Sequence, residues 1–152
     1  MKNSARFPVA IHMLMIIAAF QDQQKITSDL IAASTGMNAV TIRNIFRLLK
    51  SAGLIQVKRG PAGARLAAAP EKITLYDIYT AVEGTLSEAF PLSKTVLQLP
   101  SVGKSVNGIL MLHFDNIALM IQKELQNISL MDLLTDLSEK MPEYRPPWDN
   151  KD

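Results

Sequence analysis

Arg43, Arg47 and Lys50 recur at i, i+4 and i+7, and Lys58, Arg59 and Arg65 follow close behind them. No aspartate or glutamate lies between Asp29 and Glu71. Cations held on rigid elements without neighbouring carboxylates suit a phosphate backbone, because each one placed beside a phosphate releases condensed counterions. Arginine and asparagine can also read base edges bidentately, each good pair giving about 1–3 kcal/mol of discrimination. A solvated basic face is the plain alternative, but such faces usually mix acids among their bases.

Other chemistry is poorly provided for. The chain has no cysteine, which excludes disulfides, iron–sulfur clusters and cysteine-ligated zinc. His12 and His113 each lie inside an apolar helical stretch, where a lone histidine is a packed or interface residue more often than a base or ligand. Asp132, Asp136 and Glu139 fall at i, i+4 and i+7 and read as a solvated acidic face rather than a cation site. The glycines near residue 60 do not spell a phosphate-cradling G-x-x-x-x-G-K-[ST] loop. Met13, Met15, Met111, Met120 and Met131 read as core filler. We therefore assign no catalytic residue, no metal ligand and no cofactor, and expect a protein that is not an enzyme.

The elements that must carry the cations can be traced from capping and periodicity. Pro8 suits the first turn of a helix running to about Phe20. Thr27 or Ser28 can cap a second, short helix to about Ser34, with Leu30 and Ile31 facing inward. Gly36 allows a tight turn at positive φ, and Asn38 caps a third helix to about Ala52, ended by Gly53. On that helix Ile42, Ile45, Phe46, Leu49 and Ala52 share one side, and the three cations share the other. Leu54 to Lys58 reads as a strand, Arg59 to Gly63 as a turn, and Arg65 to Ala67 as a returning strand, placing Lys58, Arg59 and Arg65 at the hairpin's outer end. A short helix, a recognition-type helix and a basic hairpin make the winged helix-turn-helix plan, in which the helix enters the major groove and the wing tracks backbone or minor groove.

Thr74-Leu75-Tyr76-Asp77 is a capping box opening a helix to about Glu83, and Ser129 to Asp132 is another, opening a short helix to about Ser138. Residues 85–101 are the least regular part. Between them and the second box, a long helix from about Val102 to Asn127 carries Val106, Ile109, Leu110, Ile117, Ile121 and Leu125, with Ile128 just beyond, at spacings of three and four. That is more apolar surface than one small domain needs, and it points to a dimer seam. Charge divides along the same line: residues 1–80 hold ten Lys/Arg against four Asp/Glu, and residues 81–152 hold six against ten. Lys2 and Arg6 before the apolar run Val9–Phe20 imitate a signal peptide, but no A-x-A site follows, and the run is shorter than the ~20 residues a bilayer requires. We expect a buried helix, a cytoplasmic protein and no membrane contact.

These residues resemble the bacterial Rrf-two family of transcriptional regulators. The resemblance is carried by Arg43 to Gly53 (RNIFRLLKSAG), by Leu54-Ile55, by Arg59 to Leu66 (RGPAGARL) and above all by Ile73 to Gly84 (ITLYDIYTAVEG). Ser101 to Lys104 and Ile128 to Leu134 resemble the family's dimerisation helix and its short successor, so the match spans most of residues 1–135. It implies a dimeric operator-binding repressor whose recognition helix covers Asn38 to Arg47 and whose wing arginine, Arg59, enters the minor groove. Two departures stand out. The family's wing has two adjacent glycines before an aromatic, whereas Gly63 here precedes Ala64 and Arg65. Cluster-binding members carry three cysteines ahead of the long helix, and this chain has none; Pro100 stands near the place of the last.

The expected fold is mainly α with a small β-hairpin wing: a winged helix-turn-helix unit over residues 1–84, dimerisation helices over 85–138 and a flexible tail from 139. The expected DNA contacts are Ser28, Asn38, Thr41, Arg43, Asn44, Arg47, Lys50, Lys58, Arg59, Gly60 and Arg65. The expected partners are a near-palindromic double-stranded operator, a second copy of the chain, and an effector or partner protein of unknown identity. The alternative is a winged-helix module repurposed for protein–protein assembly, with weak and non-specific DNA binding. A sensor whose 85–101 region lines a small pocket is a third reading.

Overall fold

A computed structural model describes residues 4–60, 63–86, 102–140 and 143. The expectations placed on Pro61, Ala62, most of 85–101 and most of the tail (Trp148 included) fall outside those residues, while Glu139 and Lys140, expected in the tail, continue the last helix. Helix α1 (Arg6–Phe20) is the spine of the core. Its apolar residues are spread round the axis, and Ala10, Met13, Leu14, Ile17, Ala18 and Ala19 are all buried. Full burial of a side chain such as Leu14 or Ile17 contributes about 1.5–3 kcal/mol each. His12 lies in this helix but is exposed.

Helix α2 (Ser28–Thr35) is capped by Thr27, whose hydroxyl accepts the Leu30 N–H at 3.1 Å. It ends at Gly36 with φ 69°, the left-handed conformation that glycine adopts without a Cβ penalty. Helix α3 (Ala39–Ser51) then starts from Asn38, whose Oδ1 accepts the amides of Val40 and Thr41 at 2.8 and 3.3 Å. Ile42, Ile45 and Leu49 are buried, and Phe46 packs against the core from its edge. Ala52, expected on the buried side, lies beyond the helix end and is exposed.

Strands β1 (Ile55–Lys58) and β2 (Gly63–Leu66) pair antiparallel, with Ile55 opposite Leu66 and Lys58 opposite Gly63. The return strand thus begins two residues before its expected start. The cause is tertiary: the Ala64 N–H donates to the Ile26 carbonyl at 2.8 Å, and Gly63 bridges to Ile26. Leu54, expected within the first strand, closes the ladder from outside it by accepting the Ala67 N–H at 3.0 Å.

A short 3-10 turn at Pro70–Lys72, which the sequence did not announce, leads into α4 (Leu75–Glu83). Both halves of its capping box are made: Asp77 N–H to the Thr74 hydroxyl, and Thr74 N–H to the Asp77 carboxylate. Phe7 of α1 meets Tyr79 of α4 edge-on, with ring centres 5.3 Å apart. The long helix α5 (Val102–Asn127) and the last helix α6 (Leu130–Lys140) follow. Ser129 and Asp132 form the second box, and the donated Ser129 N–H holds the Asp132 carboxyl below its usual range. The chain returns to the core here: Leu75 N–H donates to the Ile128 carbonyl, Leu130 N–H donates to the Ile73 carbonyl, and Leu130 and Leu134 are fully buried beside α1 residues. No helix among the described residues is long and apolar enough to cross a membrane.

Candidate nucleic-acid interface

Helix α3 presents a continuous exposed arc. Val40, Thr41, Arg43, Asn44, Arg47 and Lys50 are all exposed, opposite the buried Ile42, Ile45 and Leu49. Side chains within the arc constrain each other. Arg43 folds back so that its Nε donates to the Ala39 carbonyl at 3.3 Å, and Arg47 Nη2 donates to Asn44 Oδ1 at 3.3 Å. The second bond occupies the Asn44 carbonyl and leaves its NH2 as a donor. Asn38, expected to face a groove, spends its side-chain oxygen on the helix cap. Ser28 opens α2 and is half-buried.

On the wing, Lys58, Arg59 and Gly60 are exposed, with Gly60 at φ 90° turning the chain. Arg65 does not stand at the outer end with them. Because β2 starts at Gly63, Arg65 pairs with Gln56 inside the ladder, and its guanidinium reaches the α1–α2 turn. There Nη1 donates to the Gln21 carbonyl at 2.9 Å, and Nη2 forms an ion pair with Asp22. The Leu66 N–H donates to Gln21 Oε1 at 2.9 Å. A carboxylate from outside the acid-free stretch therefore meets its last cation, and the wing is tied to the helical body at its base.

Two participants were missed in the sequence. Val40 is 59% exposed on the same arc as the cations, although its place off the apolar face could have revealed it. Arg6, at the start of α1, joins Thr41, Asn44, Ile45, Arg47 and Leu48 around a cleft of about 330 Å³. Nothing in local sequence connects residues that far apart.

On α5 the expected seam divides. Val106, Ile109 and Ile117 are exposed, but Leu110, Ile121 and Leu125 are half-buried, and Leu125 packs against the core. Leu112, Leu119 and Met120 take their place, with Leu112 69% and Met120 70% exposed. With Val106, Ile109 and Ile117 they lie within about half the helix circumference, and His113 and Asn116 sit in the same arc.

Comparison with known proteins agrees with this architecture. A model of the Rrf2 family, described as iron-dependent transcriptional regulators, matches residues 3–136. YwnA of Bacillus subtilis strain 168, named as an HTH-type transcriptional regulator, is 31% identical over 134 residues, covering 88% of this chain and 98% of its own. A crystal structure titled as a DNA-binding protein superposes with a TM-score of 0.69 at 32% identity, over 86% of this chain and 99% of the other. The B. subtilis cysteine regulator CymR superposes with a TM-score of 0.65 over 89% of this chain and 97% of its own; at 21% identity it speaks for the fold alone.

The family's iron does not suit these residues. The chain has no cysteine, and among the described residues no three His, Cys, Asp or Glu side chains are gathered where they could hold a metal ion. His12 and His113 are both exposed, on different helices. The winged hairpin, the capped α2–α3 pair and the extent of these matches lead to one assignment: this cysteine-free chain belongs to the Rrf2 family, whose members are transcriptional regulators and not enzymes.

Proposed function

We propose that the protein is a cytoplasmic homodimeric repressor that binds a near-palindromic operator. In this reading the unit of residues 1–84 carries the DNA contacts and the 85–138 segment carries the dimer contacts. Thr41, Arg43, Asn44 and Arg47 face the major groove, Lys50 and Lys58 hold phosphates, and Arg59 and Gly60 of the wing track the minor groove. The observation that carries it is the exposed arc of α3, which bears Arg43, Arg47 and Lys50 and no acid. Arg65 contributes least, since Asp22 already pairs with it. Ser28 in the first turn of α2 and Asn38, whose NH2 stays available once its oxygen caps α3, complete the proposed contacts. The sequence-tolerant alternative of pure protein assembly gives no reason for acids to be absent from this arc.

Titrating a duplex bearing the motif enriched from a random DNA pool, at several salt concentrations, tests the reading. Arg59→Ala is expected to lower affinity and to flatten the log–log salt slope by about 0.9. A slope unchanged by the substitution removes Arg59 from the backbone, and a pool that enriches no motif removes the repressor.

An effector-responsive regulator is the second reading, and one observation favours it. Asn107 of α5 is 5% exposed, and among the described residues neither atom of its side-chain amide has a hydrogen-bond partner. Leaving a polar group buried and unpaired costs about 1–3 kcal/mol. Asn107→Leu is therefore expected to raise the Tm of the purified protein while blunting any response to ligand. A lower Tm would show that the amide serves the fold.

A further inference from the structure

We propose that Arg6 of α1 and Arg47 of α3 form the two jaws of a clamp for a DNA backbone phosphate, set on the flank of the recognition helix. This rests on the reading of α3 as that helix and adds a contact from an element outside the helix-turn-helix and the wing. The cleft between them has an apolar floor, Ile45 and Leu48, and polar walls made of Arg6, Thr41, Asn44 and Arg47. Among the described residues no carboxylate lines it. Every polar wall group offers protons: two guanidiniums, the Thr41 hydroxyl, and the Asn44 NH2 left free once Arg47 occupies its carbonyl.

The position of α1 reinforces this polarity. Its N-terminus carries the positive end of the helix dipole and its first turn holds no acidic residue, although the Ser4 hydroxyl already accepts the Arg6 N–H at 3.2 Å. Such a doubly cationic cleft, rich in donors, selects a phosphate oxygen pair, which guanidinium groups match in geometry. The source is the DNA backbone rather than a free anion because Thr41, Asn44 and Arg47 are themselves among the residues proposed to face the major groove, and Arg6 stands at their edge, where Arg47 reaches the bordering strand instead of a base. A helix lying in the major groove has a sugar–phosphate strand along its flank, and contacts there fix register without reading sequence.

The test compares wild type with Arg6→Ala and Arg6→Lys on two duplexes of equal length, one bearing the selected motif and one of random sequence. Arg6→Ala is expected to weaken both by the same factor, roughly tenfold, and to reduce the salt slope by about 0.9. The preference between the duplexes stays unchanged, and Arg6→Lys restores the slope. Because Arg6 is exposed, circular dichroism melts of the variants should match wild type. A wild type that binds normally, with Arg6→Ala leaving its slope intact, overturns the clamp and spares the DNA-binding reading. A wild type with no salt-dependent binding to either duplex overturns both. A third arm titrates inorganic phosphate: a Tm rise abolished by Arg6→Ala, together with an intact DNA slope, assigns the cleft to free phosphate and overturns the clamp.

Discussion

Replacing Ile109 and Leu112 together with glutamate is expected to turn the protein into a monomer and to lower operator affinity by about 100-fold or more. Ile109 is 58% and Leu112 69% exposed on the same arc of α5 as Val106, Ile117, Leu119 and Met120. Monomeric proteins rarely leave a contiguous apolar strip of this kind in water. In a two-fold interface each substitution appears twice, so four carboxylates would have to be desolvated without partners. The DNA effect follows from linkage: a dimer that engages two half-sites gains about 10²–10⁴ over one half-site through effective concentration. Light scattering reads the mass and operator titration reads the affinity. A double variant that stays dimeric places the seam elsewhere, whereas a monomer that keeps full operator affinity separates dimerisation from binding. Leu110 and Leu125, which the periodicity also nominates, should have a weaker effect on assembly and a stronger one on stability, since they turn towards the body of the same chain.

Gly63→Ala is expected to be the most damaging single-methyl change in the wing. Gly63 sits at φ 63°, and a Cβ there would lie 2.6 Å from the Ile26 carbonyl oxygen and 2.9 Å from the Ile26 nitrogen. Those are backbone atoms, and the same carbonyl accepts the Ala64 N–H, so neither can retreat without breaking the bond that ties the wing to the body. The left-handed conformation costs a non-glycine residue about 1–2 kcal/mol, and the overlap adds about 1–3 kcal/mol. Together they lower Tm by roughly 10 °C in a chain of this size. Gly36→Ala is the matched comparison, having φ 69° and nothing within 4 Å of its Cβ, so it carries the dihedral cost alone. Equal losses for the two variants would show that the contact with Ile26 is not rigid. Operator affinity should fall with Gly63→Ala even below its Tm, because Lys58 stands directly opposite Gly63 in the ladder.

Much of the fold was legible because its signals are local. The Thr74–Asp77 and Ser129–Asp132 boxes, the Asn38 cap and the Gly36 turn are each decided within a few residues by hydrogen bonds the chain makes with itself. The buried face of α3 follows from helical periodicity. What was illegible depends on distant partners. The start of β2 is set by Ile26, the fate of Arg65 by Gln21 and Asp22, and the exposed side of α5 by which of its residues the core of the same chain covers. A spacing of three and four marks a stripe on a helix, but it does not say which part of a broad stripe faces its own domain.

By itself, then, the sequence determined the winged-helix plan, the acid-free cations of α3 and the exclusion of any cysteine-ligated switch, because capping, periodicity and composition are properties of neighbours and of counts. Only the tertiary structure decided that Asp22 pairs with Arg65, that Arg6 joins Arg47 across a cleft, and that Leu112 and Met120 belong on the open face of α5. Those outcomes depend on where chain-distant groups come to rest. Charge pairing and burial act through space and are indifferent to separation along the chain.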